Sequence, residues 1–215
     1  MGYTALDFQA RCKAYGIDPG PLDNIWGEKT RAAVRRLQDM EGVSRPQDVF
    51  HPSGLHRIIG HWTAGAYGDI ALERQSYHLL IDKHGRAIPG VYAPEANADC
   101  SDGRYAPHTR GLNTGSIGVA LDAMAGAREV PFDAGTAPIT PEQEAGFVRE
   151  VADLCRTYRI PVSRWTVLTH AEVQPTLGVW QRQKWDITWL PGLTAVKDAI
   201  TVGDILRDKI KEELS

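Results

Sequence analysis

Apolar positions along this chain change period several times, and each change marks an element. Phe8, Cys12 and Tyr15 recur at helical spacing and Gly16 follows, which predicts a helix from Thr4 to Tyr15. Ala33, Val34 and Leu37 form a second stripe, so another helix is expected from about Glu28 to Met40, stopped by Gly42. The intervening Ile17 to Gly27 is rich in Pro, Gly and Asp and reads as turns. From Ser44 to Gly54 the rhythm gives way to Pro46, Pro52, Gly54 and polar residues, which reads as a linker with a boundary near residue 50.

Beyond that boundary the period shortens. Arg57 to Trp62 and Ser116 to Leu121 are short β-branched runs suited to buried strands, and Tyr77 to Asp82 and Arg86 to Val91 flank Lys83-His84-Gly85 as a hairpin. Thr140-Pro141-Glu142-Gln143 combines an N-cap threonine, a first-position proline and a glutamine three residues after the cap, so a helix starts there. Val148, Val151, Ala152, Cys155 and Tyr158 carry its inward stripe towards Pro161. Trp165 to His170 reads as a strand ending in a histidine, and Asp204 to Leu214 as a terminal amphipathic helix. Alternating strands and helices predict an α/β fold, a central mixed β-sheet flanked by helices, preceded by a small all-helical module.

Composition narrows the function. The chain has 215 residues, 42% hydrophobic and 24% charged, with a net charge of −3. That length allows a medium domain plus a small module, here 1–50 and 51–215, and the balance offers no bulk positive field for nucleic acid. No apolar run approaches the ~20 residues of a membrane span, so no membrane insertion is expected. Asp7, Arg11 and Lys13 interrupt the amino terminus where a secretory signal would be apolar, which predicts synthesis in a cytoplasm without a signal peptide. Cys12, Cys100 and Cys155 are too few and scattered for a disulfide framework. Cys100 lies in a polar loop with no helix start behind it to activate the thiol, which argues against a cysteine peptidase.

The candidate chemistry lies in the histidines. His61 and His170 both close predicted strands, where α/β sheets place their ligands. Lys184 and Asp186, two apart, would face one cleft from an extended backbone. Two imidazoles and a carboxylate are a ligand set that leaves a fourth tetrahedral position open on zinc. His78, next to Tyr77 on its strand, should point to the opposite face and serve structure.

Five blocks occur in order: Ile59-Gly-His-Trp-Thr-Ala64, Ser76-Tyr-His-Leu-Leu-Ile-Asp-Lys-His-Gly85, Pro107-His-Thr-Arg-Gly-Leu-Asn-Thr-Gly-Ser-Ile-Gly-Val119, Thr169-His-Ala-Glu-Val173 and Lys184-Trp-Asp186. Together they resemble the zinc-dependent N-acetylmuramoyl-L-alanine amidases, a family that includes phage lysozyme-type amidases and peptidoglycan recognition proteins. The resemblance implies Zn2+ held by His61, His170 and Asp186, with Tyr77 and Lys184 as catalytic residues and Thr63, His108 and Asn113 along the substrate groove. Two positions depart from the family: Ala120 stands where recycling-type members carry a catalytic Glu, and Ile187-Thr188 follow Asp186 where Pro-Gly is usual. Asp23-Asn-Ile-Trp-Gly-Glu-Lys-Thr30, with Ala33-Val34 and Leu37-Gln38, resembles the small helical peptidoglycan-binding domain.

The resemblance implies hydrolysis of the amide between N-acetylmuramic acid and L-alanine by a zinc-activated water. Lys184 would meet the oxyanion, and Tyr77 would position the water or pass a proton to the leaving amine. The expected setting is a phage endolysin, monomeric, acting on peptidoglycan in the periplasm or wall after release by a holin-type partner. The alternatives are a peptidoglycan recognition protein that binds without cutting and a secretion-system-delivered effector.

Overall fold

The computed structural model describes every residue except Met1, Gly2, Pro52 and Asp69. In chain order the elements are α1 (Ala5–Ala14), α2 (Glu28–Glu41), β1 (Arg57–Trp62), β2 (Leu79–Ile81), β3 (Ala87–Pro89), β4 (Ser116–Leu121), α3 (Pro141–Tyr158), β5 (Val167–Thr169), α4 (His170–Leu177) and α5 (Ala199–Leu214). The strands form one five-stranded sheet in the order β3-β2-β4-β1-β5. Its pairings are parallel except for the edge hairpin β2–β3, so the sheet is mixed as expected.

β1 and β4 are buried along their whole length, as parallel strands covered on both faces must be. One face packs on α3 and α5, through Ile58, Trp62, Ile117, Val119 and Leu121 against Phe147, Val151, Leu206 and Ile210. The start of α3 is pinned to the sheet by Gln143. Its backbone N–H donates to the Thr140 hydroxyl, and its side-chain amide donates to the Ile81 and Asp122 carbonyls at 3.1 and 2.9 Å.

The other face receives α1 as well as α4. Phe8 and Cys12 of α1 pack with Ala33, Val34 and Leu37 of α2, whereas Leu6 and Ala10 pack with Ile59, Leu168, Val173 and Leu177. The stripe visible in the sequence is therefore one of two, and α1 belongs to both cores. Ser44 to Gly54 also departs from a free linker: Pro46–Val49 forms a 3-10 turn, and Val49 and Phe50 are buried in the α1–α2 core. Each such buried side chain contributes roughly 1.5–3 kcal/mol. Two apolar residues in a polar, Pro-rich run carry no period, which is why the pattern hid them; Pro52 lies outside the described residues.

A buried polar cluster joins α1 to β1. Asp7 is held at 2.8 Å by Arg57, which is fully buried, and lies 3.1 Å from His56 Nε2; Arg57 also donates to the Ser116 hydroxyl at 2.7 Å. Burial opposes the Asp7 charge, but His56 and Arg57 outweigh it and hold its pKa far below the usual carboxylate range.

Candidate metal centre

His61 enters from β1. Side chains alternate along a strand, so Ile58, Gly60 and Trp62 face α3 while Ile59 and His61 face the α1–α4 layer. Residue 60 has to be glycine, since a Cβ there would lie 2.6 Å from Phe147 of α3.

His170 arrives differently from the expected strand end. β5 stops at Thr169, and His170 is the first residue of α4. Glu172 accepts from the Thr169 N–H at 2.8 Å, and its two oxygens accept from buried Arg207 of α5 at 2.7 and 3.0 Å. An ion pair thus fixes the turn that presents His170.

Asp186 follows an irregular stretch rather than an extended one: Arg182 and Gln183 sit in the left-handed region at φ 53 and 55. Lys184 and Asp186 do line the same cavity, but the lysine is exposed at its rim and the aspartate is buried at its base. The Asp186 carbonyl accepts from the Ala171 N–H at 2.6 Å, which ties the stretch to the first turn of α4.

These three elements converge. Asp186 Oδ2 lies 3.1 Å from His61 Nδ1 and 3.1 Å from His170 Nδ1. Among the described residues this is the one group of three potential metal ligands, its ligand atoms within 4.8 Å of one another.

Counting protons tests whether a cation fits. His170 Nε2 donates to Gln181 Oε1 at 2.9 Å, whose amide in turn donates to the Arg110 carbonyl. On the other side, His108 Nε2 donates to the Ser116 carbonyl at 3.2 Å, and His108 Nδ1 lies 3.3 Å from His61 Nε2. With neutral rings, the chain runs from the His61 Nε2–H to His108 Nδ1 and from the His108 Nε2–H to Ser116. Both ligand Nδ1 lone pairs then face the carboxylate with no proton between them. A cation there satisfies every group at once. Without one, extra protons must be held, and only the Thr109 hydroxyl, 2.9 Å from His108 Nδ1, can relieve the His61–His108 contact. The residues fit a divalent cation, with His108 and Gln181 as the partners that orient its ligands.

Without a cation the two rings titrate apart, and His170 is the one that holds the extra proton. Burial pushes His61 down to about 4 despite Asp186. Burial also works against a charged His170, but the Asp186 hydrogen bond prevails and its pKa rises. Asp186 itself is brought to about 2, its burial outweighed by the two imidazoles.

The cavity above the donors has a volume of about 450 Å³. Tyr77 lines it, with its ring 5.1 Å from that of His61; burial first, and the Asp186 charge next, push its hydroxyl pKa up, so it stays protonated. Thr63 lines it too, although its hydroxyl is engaged at the Ala123 carbonyl. His108 belongs to the wall and stands directly behind His61. Asn113 does not reach the cavity: its side chain accepts from the Thr109 N–H at 2.8 Å and lines a separate hollow. His78 is structural as expected, bridging Asn97 and the Gly118 N–H. Sequence reading missed Arg110, Trp180 and Arg182 on the rim, and Gln181 beneath it. No spacing rule marks such loop positions.

The sheet thus gathers two histidines and an aspartate under one cleft, a donor set suited to a hydrolytic metal site. Residues 49–192 match the N-acetylmuramoyl-L-alanine amidase family, and the chain belongs to it. Among solved structures, the amidase LysC from Clostridium intestinale URNW is 18% identical, over 74% of this chain and 86% of that one, with a TM-score of 0.45. The amidase AmiD from E. coli, in complex with anhydro-N-acetylmuramic acid-L-Ala-D-gamma-Glu-L-Lys, is 22% identical over 56% of this chain and 49% of that one, at 0.41. A drosophila peptidoglycan recognition protein, PGRP-SD, is 17% identical over 64% and 86%, at 0.39. Comparison with curated proteins gives no match. Among the described residues, no helix is long and apolar enough to cross a membrane.

Proposed function

We propose that this chain is a zinc-dependent N-acetylmuramoyl-L-alanine amidase that cleaves the bond between muramic acid and L-alanine in peptidoglycan. The observation that carries the reading is the convergence of His61 Nδ1, His170 Nδ1 and the Asp186 carboxylate at the foot of a cleft. Held by His61, His170 and Asp186, zinc would supply a Lewis acid and a water acidified to a pKa of about 7. The protein's own groups do the rest. Lys184 brings a fixed positive charge to the side where the oxyanion develops. Tyr77, kept protonated, donates towards the leaving amine. His108 and Gln181 hold the imidazoles in one tautomer. Thr63 supports the groove wall, and Asn113 acts at most through the Thr109 turn.

Residues 1–50 resemble a peptidoglycan-binding module, which supports polymeric wall as the substrate and an endolysin-like role for a monomer released through a holin-type partner. Purified peptidoglycan should release soluble peptides with a new L-alanine amino terminus; chelation should abolish the release and zinc restore it. Near-wild-type release by His61→Ala or Lys184→Ala would overturn the assignment. Stoichiometric zinc without release would instead favour a recognition protein that binds and does not cut.

A further inference from the structure

A second cavity, of about 670 Å³, lies between α1, the α2–β1 connection and the end of α3, and shares no lining residue with the metal cleft. Its volume is that of a small-ligand site. At its base is Arg11, 5% exposed, whose Nε donates to the Val49 carbonyl at 3.1 Å and whose terminal nitrogen donates to the Tyr15 hydroxyl at 3.3 Å. The Tyr15 and Phe50 rings lie 5.0 and 6.0 Å from this guanidinium and Glu41, bonded to Tyr15, favours its charge, but no carboxylate forms a salt bridge with it among the described residues. Across the cavity stands Arg159, exposed, its guanidinium without an ion pair or hydrogen bond among the described residues. It occupies the left-handed C-cap of α3 at φ 51, a place glycine fills with less strain. The other charges at the cavity are Glu41 and the Arg45–Asp48 pair, closed on itself at 2.8 Å, so the lining carries one positive charge in excess.

We propose that this cavity binds a carboxylate of the peptidoglycan stem peptide, received by Arg11 and Arg159. Two guanidiniums, neither of them in a salt bridge among the described residues, suit the planar, two-oxygen geometry of a carboxylate. Tyr3, Tyr15 and His51 offer flat walls for the adjoining peptide. The choice of a wall peptide rests on the amidase reading; the choice of a carboxylate rests on the cavity alone. With the cleft filled by one stem and this cavity by another, the enzyme grips cross-linked wall at two points, an advantage that soluble fragments do not share.

Arg159→Gly is the decisive variant, because glycine accepts φ 51 and the fold should melt no lower than the wild type. Co-sedimentation of the full chain with sacculi stripped of teichoic polymers should weaken about tenfold, the loss of one charge-assisted contact. Arg11→Gln, checked for folding by its melt, should weaken it similarly. Sacculi with chemically amidated carboxylates should bind wild type as poorly as intact sacculi bind the variant. Turnover of a soluble muramoyl tripeptide should be unchanged by Arg159→Gly. Arg128→Gln, which removes a charge on another surface loop, should bind like wild type. Equal binding by Arg159→Gly, or equal binding of amidated sacculi, overturns the proposal; loss of binding on teichoic stripping reassigns the ligand to a phosphate polymer and overturns it too. Failure of the amidase reading would show separately, as wild-type protein inert on the soluble substrate while the binding contrasts persist.

Discussion

Two buried carboxylates in this protein, Asp7 and Asp186, each sit against histidine, and they have opposite consequences. At the α1–β1 junction Asp7 meets Arg57, a permanent cation 2.8 Å away, and the cluster is electrically closed. At the metal cleft Asp186 meets only two imidazoles, whose far nitrogens are already committed to His108 and Gln181. The first arrangement fastens a helix to a sheet. The second is complete only with a cation from outside, and it opens onto a cavity through which one can enter. Burial and histidine contact alone do not mark a candidate metal site; the missing fixed charge is what sets this one apart.

Single substitutions separate the two most sharply. Asp186→Ala should reduce peptide release to the level of chelated enzyme, while Asp7→Ala should keep the activity of whatever fraction is folded. Stability should rank the other way. Asp7→Ala leaves Arg57 buried and unpaired, at a cost of about 3–5 kcal/mol seen as a lower Tm. In metal-free protein Asp186→Ala should cost only about 1–3 kcal/mol, because His170 can shed its proton once its partner is gone. Equal destabilisation by the two would erase the distinction drawn here.

Zinc sharpens it further. At a hundred times its dissociation constant a bound ligand adds about 2.7 kcal/mol of stability. That gain should appear in wild type and in Asp7→Ala and be absent from Asp186→Ala, read as melts with and without metal. Below it in size, His108→Ala and Gln181→Ala should weaken zinc by about 10–100-fold each, since each frees a ligand ring to turn. Titration against a competing chelator measures this, and unchanged affinity would remove both residues from the metal centre.

Much of this is legible in the sequence. β1 and β4 follow their β-branched runs residue for residue, and α3 begins at its predicted cap, because those signals are local. His61, His170 and Asp186 could be named because the family's blocks carry them in order. What stayed hidden depends on contacts made at long range. α1 shows one stripe in sequence yet packs on two cores, since Leu6 and Ala10 gain their meaning only when the sheet arrives. Val49 and Phe50 close the helical core from within a stretch that reads as linker. Gln181 has no neighbour in sequence to announce it, and the hydrogen bond that ties His108 to His61 spans 47 positions.

The smallest effect expected lies in acid. Asp7 has a folded pKa far below its ordinary value of about 3.9, so its contribution is fully present above that pH and is lost as pH falls through the folded value. His56 moves the other way in the variant. Burial already lowers its pKa, and without Asp7 it loses the carboxylate that supports its charged form. The gap in stability between wild type and Asp7→Ala should therefore be steady above about pH 6.5 and widen slightly from there to about pH 4. Below that it should close, as the wild type loses an interaction the variant already lacks. Denaturant melts of metal-free protein across this range give the curve directly. A gap that stayed constant down to about pH 2 would mean that Asp7 is not held as an anion, and that the junction is closed by packing rather than by charge.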